Sequence, residues 1–117
     1  MNPTELKART KTFALRIIKM SRKVPKSDDA GRVITNQILR SGTSVAANYR
    51  ASCRARSQAE FIAKIGTVEE EADETALWLE LLVESGIMSE RKLSALLTEA
   101  NELTAIMASS RKTAAGK

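Results

Sequence analysis

Residues 39–61 read LRSGTSVAANYRASCRARSQAEF, a helix-like stretch in which small side chains alternate with arginines. Glycine lowers helix propensity, so a long helix that keeps Gly42 beside serine and threonine usually has a neighbour packed closely against it. The same run contains five cationic or amide side chains: Arg40, Asn48, Arg50, Arg54 and Arg56. The stretch therefore predicts a close-packed, basic helix that acts as a contact surface.

Apolar residues on both sides of this stretch recur at helical spacing and predict four helices. Pro25 ends the first, because proline disfavours helical geometry in the residue before it. A capping box of Ser57 and Glu60 opens the third, and Gly86 closes it. The sequence leaves open whether the second helix breaks around Arg56-Ser57 or runs on with a kink. The predicted helices span about residues 5–23, 29–55, 57–85 and 89–110, with a fraying polar tail over 109–117.

The composition is that of one helical domain covering residues 1–117. The chain is 43% hydrophobic, which is enough for a single core, and only 3% aromatic, with five glycines and two prolines. Short connectors between helices place consecutive helices antiparallel. We therefore expect an all-α, antiparallel up-down-up-down four-helix bundle.

Charge is distributed unevenly along the chain. Residues 1–64 carry 14 lysines and arginines against 4 acidic residues, a balance of +10, whereas residues 65–117 carry 5 against 10, a balance of −5. Such a split favours binding of a polyanion to the first half. It equally favours attraction between opposite halves of neighbouring subunits.

The arginines of the central stretch are the candidate phosphate contacts. Arg50 and Arg54 are four residues apart and share a helical face, and Arg40 lies within about 80° of Arg50 on a regular helix. Lysines and arginines that neutralise phosphates give affinity without sequence specificity. The outer face of the first helix also carries positive charge, from Lys7, Arg9, Lys11, Arg16, Lys19, Arg22 and Lys23. The predicted nucleic-acid contacts are Arg40, Arg50, Arg54, Arg56 and Lys64, with Lys19, Arg22 and Lys23 as an outer basic patch.

The alternative is that these arginines bridge to carboxylates across helices or subunits. The available acids follow in the third helix: Glu69, Glu70, Glu74 and Glu80. The two interpretations are compatible if only some arginines are paired.

Catalysis is poorly supported by the residue types present. The chain has no histidine, so the commonest general base and the usual partner of a nucleophilic serine or cysteine are missing. Glu70 with Asp73 or Glu74 shares one face on which a hard divalent cation could bind, although a solvated or ion-paired face is the commoner use of such a cluster. We expect no catalytic residues, no metal and no cofactor.

Two single residues have alternative interpretations. Cys53 lies near Arg50, Arg54 and Arg56, which could lower its pKa, but without a histidine we favour a small buried or interfacial side chain. Trp78 lies beside the apolar stripe and either covers the edge of the core or fills a subunit contact.

The chain shows no signal of export or membrane insertion. Its N-terminus is charged, no run approaches the 18 apolar residues of a membrane span, and a lone cysteine suits a reducing compartment. We expect a cytoplasmic protein that does not associate with a membrane.

Residues 39–82, together with the lead-in FALRIIKMSRKVPKSDDAGRVITNQI, closely resemble the small proteins encoded by intervening sequences within bacterial 23S ribosomal RNA genes. The resemblance covers about residues 5–107. Its features are Arg40-Ser41, then Ser44 and Asn48, then an Arg-x-Arg-Ser-x-x-Glu-Phe run over 54–61, then the acidic stretch from Glu69.

This resemblance implies a four-helix bundle that assembles as a ring-shaped homopentamer without enzymatic activity. A related group serves as the accessory protein of diversity-generating retroelements, in which a basic pentameric barrel binds nucleic acid and a reverse transcriptase. By similarity, Arg40, Asn48, Arg54 and Arg56 are the positions of interest. The predicted structural or interface positions are Ser41, Ser44, Asn48, Glu60, Glu70, Glu74 and Trp78.

The chain departs from its relatives just after the asparagine. They tend to carry an acidic residue there, whereas Asn48-Tyr49-Arg50 is followed by Ala51 and Ser52. The loss of a local carboxylate leaves Arg50 and Arg54 freer to meet Glu69 or Glu70, or an external phosphate.

Two hypotheses follow from the sequence. The first is a non-catalytic oligomer that binds RNA or DNA, as an accessory factor that also contacts another nucleic-acid-processing protein. The second is a structural or protein-interaction module whose charge asymmetry serves only its own assembly.

Overall fold

The computed structural model describes residues 1–116, and four helices account for most of this range. They are α1 (Pro3–Ser21), α2 (Asp29–Ser52), α3 (Gln58–Glu84) and α4 (Glu90–Ala114). Helix α2 packs on α1 and α3, α3 packs on α4, and α1 makes a thinner contact with α4. The predicted all-α four-helix bundle is confirmed.

Short polar side chains begin three of the helices. The side chains of Asn2, Asp28 and Ser57 each accept a hydrogen bond from the amide three residues later, at 2.8, 2.7 and 3.0 Å. The predicted capping box is confirmed on its Ser57 side, while the Glu60 carboxylate accepts from the Arg56 amide at 3.3 Å. These caps fix where α1, α2 and α3 start.

Contacts between helices establish the antiparallel order. Gly42 in the middle of α2 lies against Ile17 near the end of α1, and Gly31 at the start of α2 lies against Val24 just after α1. At the far end of the bundle, Gln58 at the start of α3 donates to the carbonyl of Ala114 at the end of α4. Ser41 of α2 contacts Thr75 of α3 across the short connector over 53–57, so these two helices are antiparallel as well and the four run up, down, up and down.

The core is formed by one apolar stripe from each helix. Its largest fully buried members are Phe13 and Ile17 of α1, Ile38 of α2 and Leu79 of α3. Leu103 and its neighbours complete it from α4. Because the stripes face inward, charged side chains are left along the outer edges and grooves between helices, where the candidate site lies.

The observed helix bounds decide one alternative that the sequence left open and correct two expectations. Helix α2 ends at Ser52, so the chain breaks before α3 and does not continue as a kinked helix. Helix α1 begins and ends two residues earlier than predicted. The polar tail predicted over 109–117 is helical up to Ala114, because contacts from Arg111 and Ala114 to α3 hold the last turn in place.

No helix within residues 1–116 is both long enough and apolar enough to cross a membrane.

Candidate nucleic-acid interface

Arg40 is the candidate phosphate contact that the protein itself neutralises. Its guanidinium reaches across to α3, where it pairs with Glu71 at 3.4 Å and with Glu74. Its side chain remains about half exposed (52%). Arg40 is therefore paired with acids of the third helix, as the alternative interpretation of the arginines predicted.

Arg50 lies in the last turn of α2 and faces α1. Together with Lys7 and Lys11 of α1 it lines a hollow of about 190 Å³, whose remaining walls are Ala46 and Ala47. We call this hollow the α1/α2 pocket. All three cations are exposed, and within residues 1–116 none of them has a carboxylate oxygen within 4 Å. The pocket therefore concentrates positive charge that the described chain does not compensate.

Arg54 and Arg56 belong to the connector between α2 and α3. Both are exposed, and neither makes an ion pair within the described part of the chain. Lys64 is half-buried in the second turn of α3. Arg50 and Arg54 were predicted to share a helical face, but α2 ends at Ser52, so Arg54 lies outside the helix. The two arginines lie instead at the same end of the bundle.

The outer basic patch of the first helix divides between two places. Lys19 and Lys23 line a groove between α1 and α4, and Arg22, the C-cap residue of α1, is exposed outside it. This α1/α4 groove has a volume of about 690 Å³. Its other lining residues are Arg16, Met20, Met88, Lys92, Leu93, Ala95 and Leu96. The groove thus has cations around an apolar floor and no carboxylate in its lining.

The groove on the opposite side of α4 has the opposite charge. Glu80 and Glu84 of α3 and Glu90 of α4 line a hollow of about 390 Å³, together with uncharged side chains only. We call it the α3/α4 groove. The start of α4 therefore separates a basic groove from an acidic one.

Two arginines that are not among the predicted contacts form the best-defined ion pairs. Arg9 binds Glu99 with two nitrogens, at 2.8 and 2.6 Å, and also reaches Glu102 at 2.8 Å. The hydrogen bond to Glu99 raises the pKa of Arg9 above its ordinary value. Arg111 donates to Glu69 at 2.8 Å, which raises the pKa of Arg111 as well. Arg9 was expected on the outer face of α1, but it joins α1 to α4.

The residues predicted to have structural or interface roles differ in their contacts. Ser41 is fully buried and accepts a hydrogen bond from the Thr75 hydroxyl at 2.8 Å, which joins α2 to α3. The Asn48 amide donates to the Ser44 hydroxyl at 2.7 Å within α2. Glu70, in contrast, is exposed.

Trp78 covers the edge of the core, which is one of its two predicted roles. It is half-buried and packs against the core cluster. Its indole nitrogen is buried and has no hydrogen-bond partner among residues 1–116. Cys53 is exposed, so its predicted burial is wrong for the single chain. It lies beyond the last turn of α2, where the apolar stripe has already ended.

The acidic stretch of α3 is used in ion pairs. Glu69, Glu71 and Glu74 each pair with an arginine of another helix. Over the described range 1–116, no cluster of three or more histidine, cysteine, aspartate or glutamate side chains has the geometry of a metal site.

Sequence reasoning missed part of both basic surfaces. Lys7 and Lys11 are four residues apart on one face of α1, a spacing that could have grouped them. Their proximity to Arg50, and that of Lys92 to Lys19, depends on which helices become neighbours.

Fold and surface together define a class: small, all-α four-helix bundles whose first helix is bordered by clusters of cations. A family model described as the 23S rRNA-intervening sequence protein matches residues 4–109. The chain therefore belongs to the family of 23S rRNA-intervening sequence proteins.

A solved structure has the same fold along its whole length. It is the crystal structure of a protein with unknown function from the S23 ribosomal protein family of Bacteroides thetaiotaomicron VPI-5482. It is 32% identical, the match covers 96% of this chain and 99% of that one, and the TM-score is 0.86. No curated protein matches this chain.

Proposed function

We propose that this chain is a non-enzymatic, oligomeric protein that binds RNA or DNA phosphates through the basic surfaces beside α1. It acts as an accessory factor in the cytoplasm and contacts another nucleic-acid-processing protein. The ring-shaped homopentamer implied by the family resemblance is the proposed assembly. No cofactor, metal or catalytic residue takes part.

The observation that carries this proposal is the unpaired charge on both flanks of α1. Lys7 and Lys11 lie on the α2 side with Arg50, and Arg16, Lys19 and Lys23 lie on the α4 side with Lys92. No carboxylate lines either hollow. Arg40 and Arg9, which do have acids within reach, are paired. Cations left without acids favour an external polyanion.

The length of this surface suits a nucleic-acid backbone. Lys7 and Lys19 are twelve residues apart, or about 18 Å along the helix axis. Phosphates of one strand follow each other at about 3.4 Å along a duplex axis, so a surface of this length can contact several of them. Such contacts fix a backbone without reading its sequence, so we expect weak sequence preference.

A filter-binding salt titration with ribosomal RNA, unrelated RNA and duplex DNA tests the proposal. The variant Arg50→Gln, Arg54→Gln removes two unpaired charges, and Lys19→Gln, Lys23→Gln removes two from the α1/α4 groove. The matched control is Arg32→Gln, Arg40→Gln, which removes two arginines that already pair with acids.

We expect affinity to fall steeply with salt for the parent protein. Each site variant should reduce the slope of log affinity against log salt by roughly 1.4 on single strands, about 0.7 for each lost contact. The control should keep the parent's slope. If both site variants bind as the parent does, the assignment of the interface is wrong.

A second function is favoured by the two grooves beside α4. The α1/α4 groove is basic and the α3/α4 groove is acidic, so one copy could attract the next in a head-to-tail contact. The chain would then be a self-assembly module whose cations meet carboxylates of a neighbour. Loss of the oligomer at high salt, without RNA or DNA retention at low salt, would establish this alternative.

A further inference from the structure

The α1/α2 pocket differs from the α1/α4 groove because its cations line a much smaller hollow. Two lysines and one arginine, from two helices, line a single hollow of about 190 Å³. A hollow of this size holds several water molecules. That space accommodates a tetrahedral oxyanion together with part of its hydration shell.

Small side chains keep the hollow open. Apart from the three cations its walls are only Ala46 and Ala47, on the α2 side. Lys7 and Lys11 are one helical turn apart on α1, so both ammonium groups can reach the same ligand from one side. Arg50 lies on the opposite wall, and its planar guanidinium can donate two parallel hydrogen bonds to a phosphoryl group.

Three like charges in one hollow repel each other unless an anion joins them. No acidic residue lines the pocket. Within residues 1–116, no carboxylate oxygen lies within 4 Å of Lys7, Lys11 or Arg50. Attraction to a ligand grows with the ligand's charge. A phosphate monoester carries a charge of about −1.5 to −2 at pH 7, because its second pKa is about 6. A backbone phosphodiester carries only one negative charge.

We infer that the α1/α2 pocket binds a phosphoryl dianion, whether a phosphate monoester or inorganic phosphate, in preference to a backbone diester. Lys7, Lys11 and Arg50 hold the phosphoryl oxygens. The ligand is either the terminal phosphate of a nucleic-acid strand or a free phosphate ion. If the ligand is a terminal phosphate, the inference rests on the proposed function, and it adds that the protein prefers the end of a strand to its interior. If the ligand is a free phosphate ion, the inference is independent of the proposed function.

The strand-end source is tested with one RNA oligonucleotide in two forms, with a 5′-phosphate and with a 5′-hydroxyl. At moderate salt and pH 7.5 we expect the phosphorylated form to bind about tenfold more tightly. The preference should shrink at pH 5, where the monoester becomes monoanionic while lysine and arginine side chains stay charged.

Two variants separate charge from shape. Arg50→Gln removes the guanidinium, and Ala47→Met fills the hollow without changing charge at an exposed helical position. Both should abolish the preference for the phosphorylated form, whereas Arg40→Gln should keep it. Circular dichroism of each variant verifies that it is folded.

The free-ion source is tested by thermal unfolding in inorganic phosphate and in chloride at equal ionic strength. We expect phosphate to raise the unfolding temperature of the parent and not that of Arg50→Gln. Equal binding of the two oligonucleotides, without a specific effect of phosphate, would overturn the inference but leave the proposed function intact. Failure of both oligonucleotides to bind, with phosphate still stabilising the parent, would instead overturn the proposed function.

Discussion

Two helical glycines of this bundle differ in the space that their neighbours leave for a side chain. Gly42 and Gly66 both lie within helices, α2 and α3 respectively. A methyl group added at Gly42 would lie 2.9 Å from two carbons of Ile17, whereas at Gly66 its nearest contact would be Arg111 at 3.7 Å. The first glycine permits the close approach of α1 and α2, and the second serves no such purpose.

We therefore expect the same substitution to have opposite effects at the two positions. Gly42→Ala should lower the free energy of unfolding by about 1–3 kcal/mol, because α1 must move away or Ile17 must shift. Gly66→Ala should raise it by about 0.5–1 kcal/mol, because alanine has the higher helix propensity. Urea unfolding followed by circular dichroism measures both. A stabilising Gly42→Ala would show that the helices are less closely packed than described.

Tyr49 is the only tyrosine and is almost fully buried, with 4% of its surface exposed. Burial, together with the neighbouring Cys53 side chain, raises the pKa of Tyr49 to about 12. The unfolded chain has an ordinary tyrosine pKa of about 10, so it releases this proton first. The stability that the buried phenol contributes is therefore present below pH 10 and is lost as pH rises towards 12.

We expect Tyr49→Phe to remove this part of the pH dependence. Between pH 9 and pH 12 the parent should lose about 2–3 kcal/mol more unfolding free energy than the variant, since one pKa unit corresponds to 1.36 kcal/mol. Tyrosinate absorbance of the parent reports this one residue directly. A midpoint near 10 in the folded protein would contradict the expectation.

At the scale of helices, α1 is held unequally by its two neighbours. It packs extensively on α2 and only thinly on α4, where the α1/α4 groove opens between them. The contact with α4 includes the partly buried pair of Arg9 and Glu99, whose side chains are 23% and 16% exposed. A two-point hydrogen bond in this setting is worth more than an exposed ion pair.

A double-mutant cycle can measure that difference. For Arg9→Gln and Glu99→Gln we expect a coupling energy of about 1 kcal/mol or more in the free energy of unfolding. The control cycle uses Arg32 and Asp29, whose side chains are 53% and 90% exposed. Its coupling should be about 0–0.5 kcal/mol. Equal couplings would mean that burial adds nothing at the junction of α1 and α4.

At the scale of the whole molecule, charge is arranged by groove and not simply by half of the chain. The first half is basic and the second acidic, yet Lys92 of α4 completes the basic α1/α4 groove. Glu90, two residues earlier, lines the acidic α3/α4 groove. The proposed nucleic-acid binding and the alternative head-to-tail assembly would therefore use the same lysines.

Charge reversal distinguishes the two uses. If the α1/α4 groove serves nucleic acid, as proposed, Lys19→Glu, Lys23→Glu should abolish RNA retention while the molar mass in light scattering stays that of the parent. Glu84→Lys, Glu90→Lys should alter neither the mass nor, beyond a modest gain, the RNA affinity.

The opposite pattern would support self-assembly through the grooves. Each charge-reversed protein would then lose mass, and mixing the two would restore part of it, because each retains one groove of the original charge. Raising salt from about 0.1 to 1 M would dissociate the parent as well.

The sequence by itself determined the four helices and their start signals. The signals were local: the capping residues Ser57 and Glu60, the glycine at 42 and the periodic apolar positions. Local backbone chemistry decides whether such segments form helices and where the helices start. The same reasoning placed the α4 tail too early, because the contacts of Arg111 and Ala114 with α3 come from outside the local sequence.

Only the tertiary structure decided which cations are free. Arg40 and Arg50 occur in the same small-residue stretch and look alike in sequence, yet Arg40 meets two carboxylates of α3 while Arg50 faces two lysines of α1. Whether an arginine is paired depends on a few ångströms between distant parts of the chain, since Glu71 and Glu74 lie 31 and 34 residues from Arg40. Helical periodicity gives the face of a residue on its own helix, but the order in which helices pack decides what that face meets.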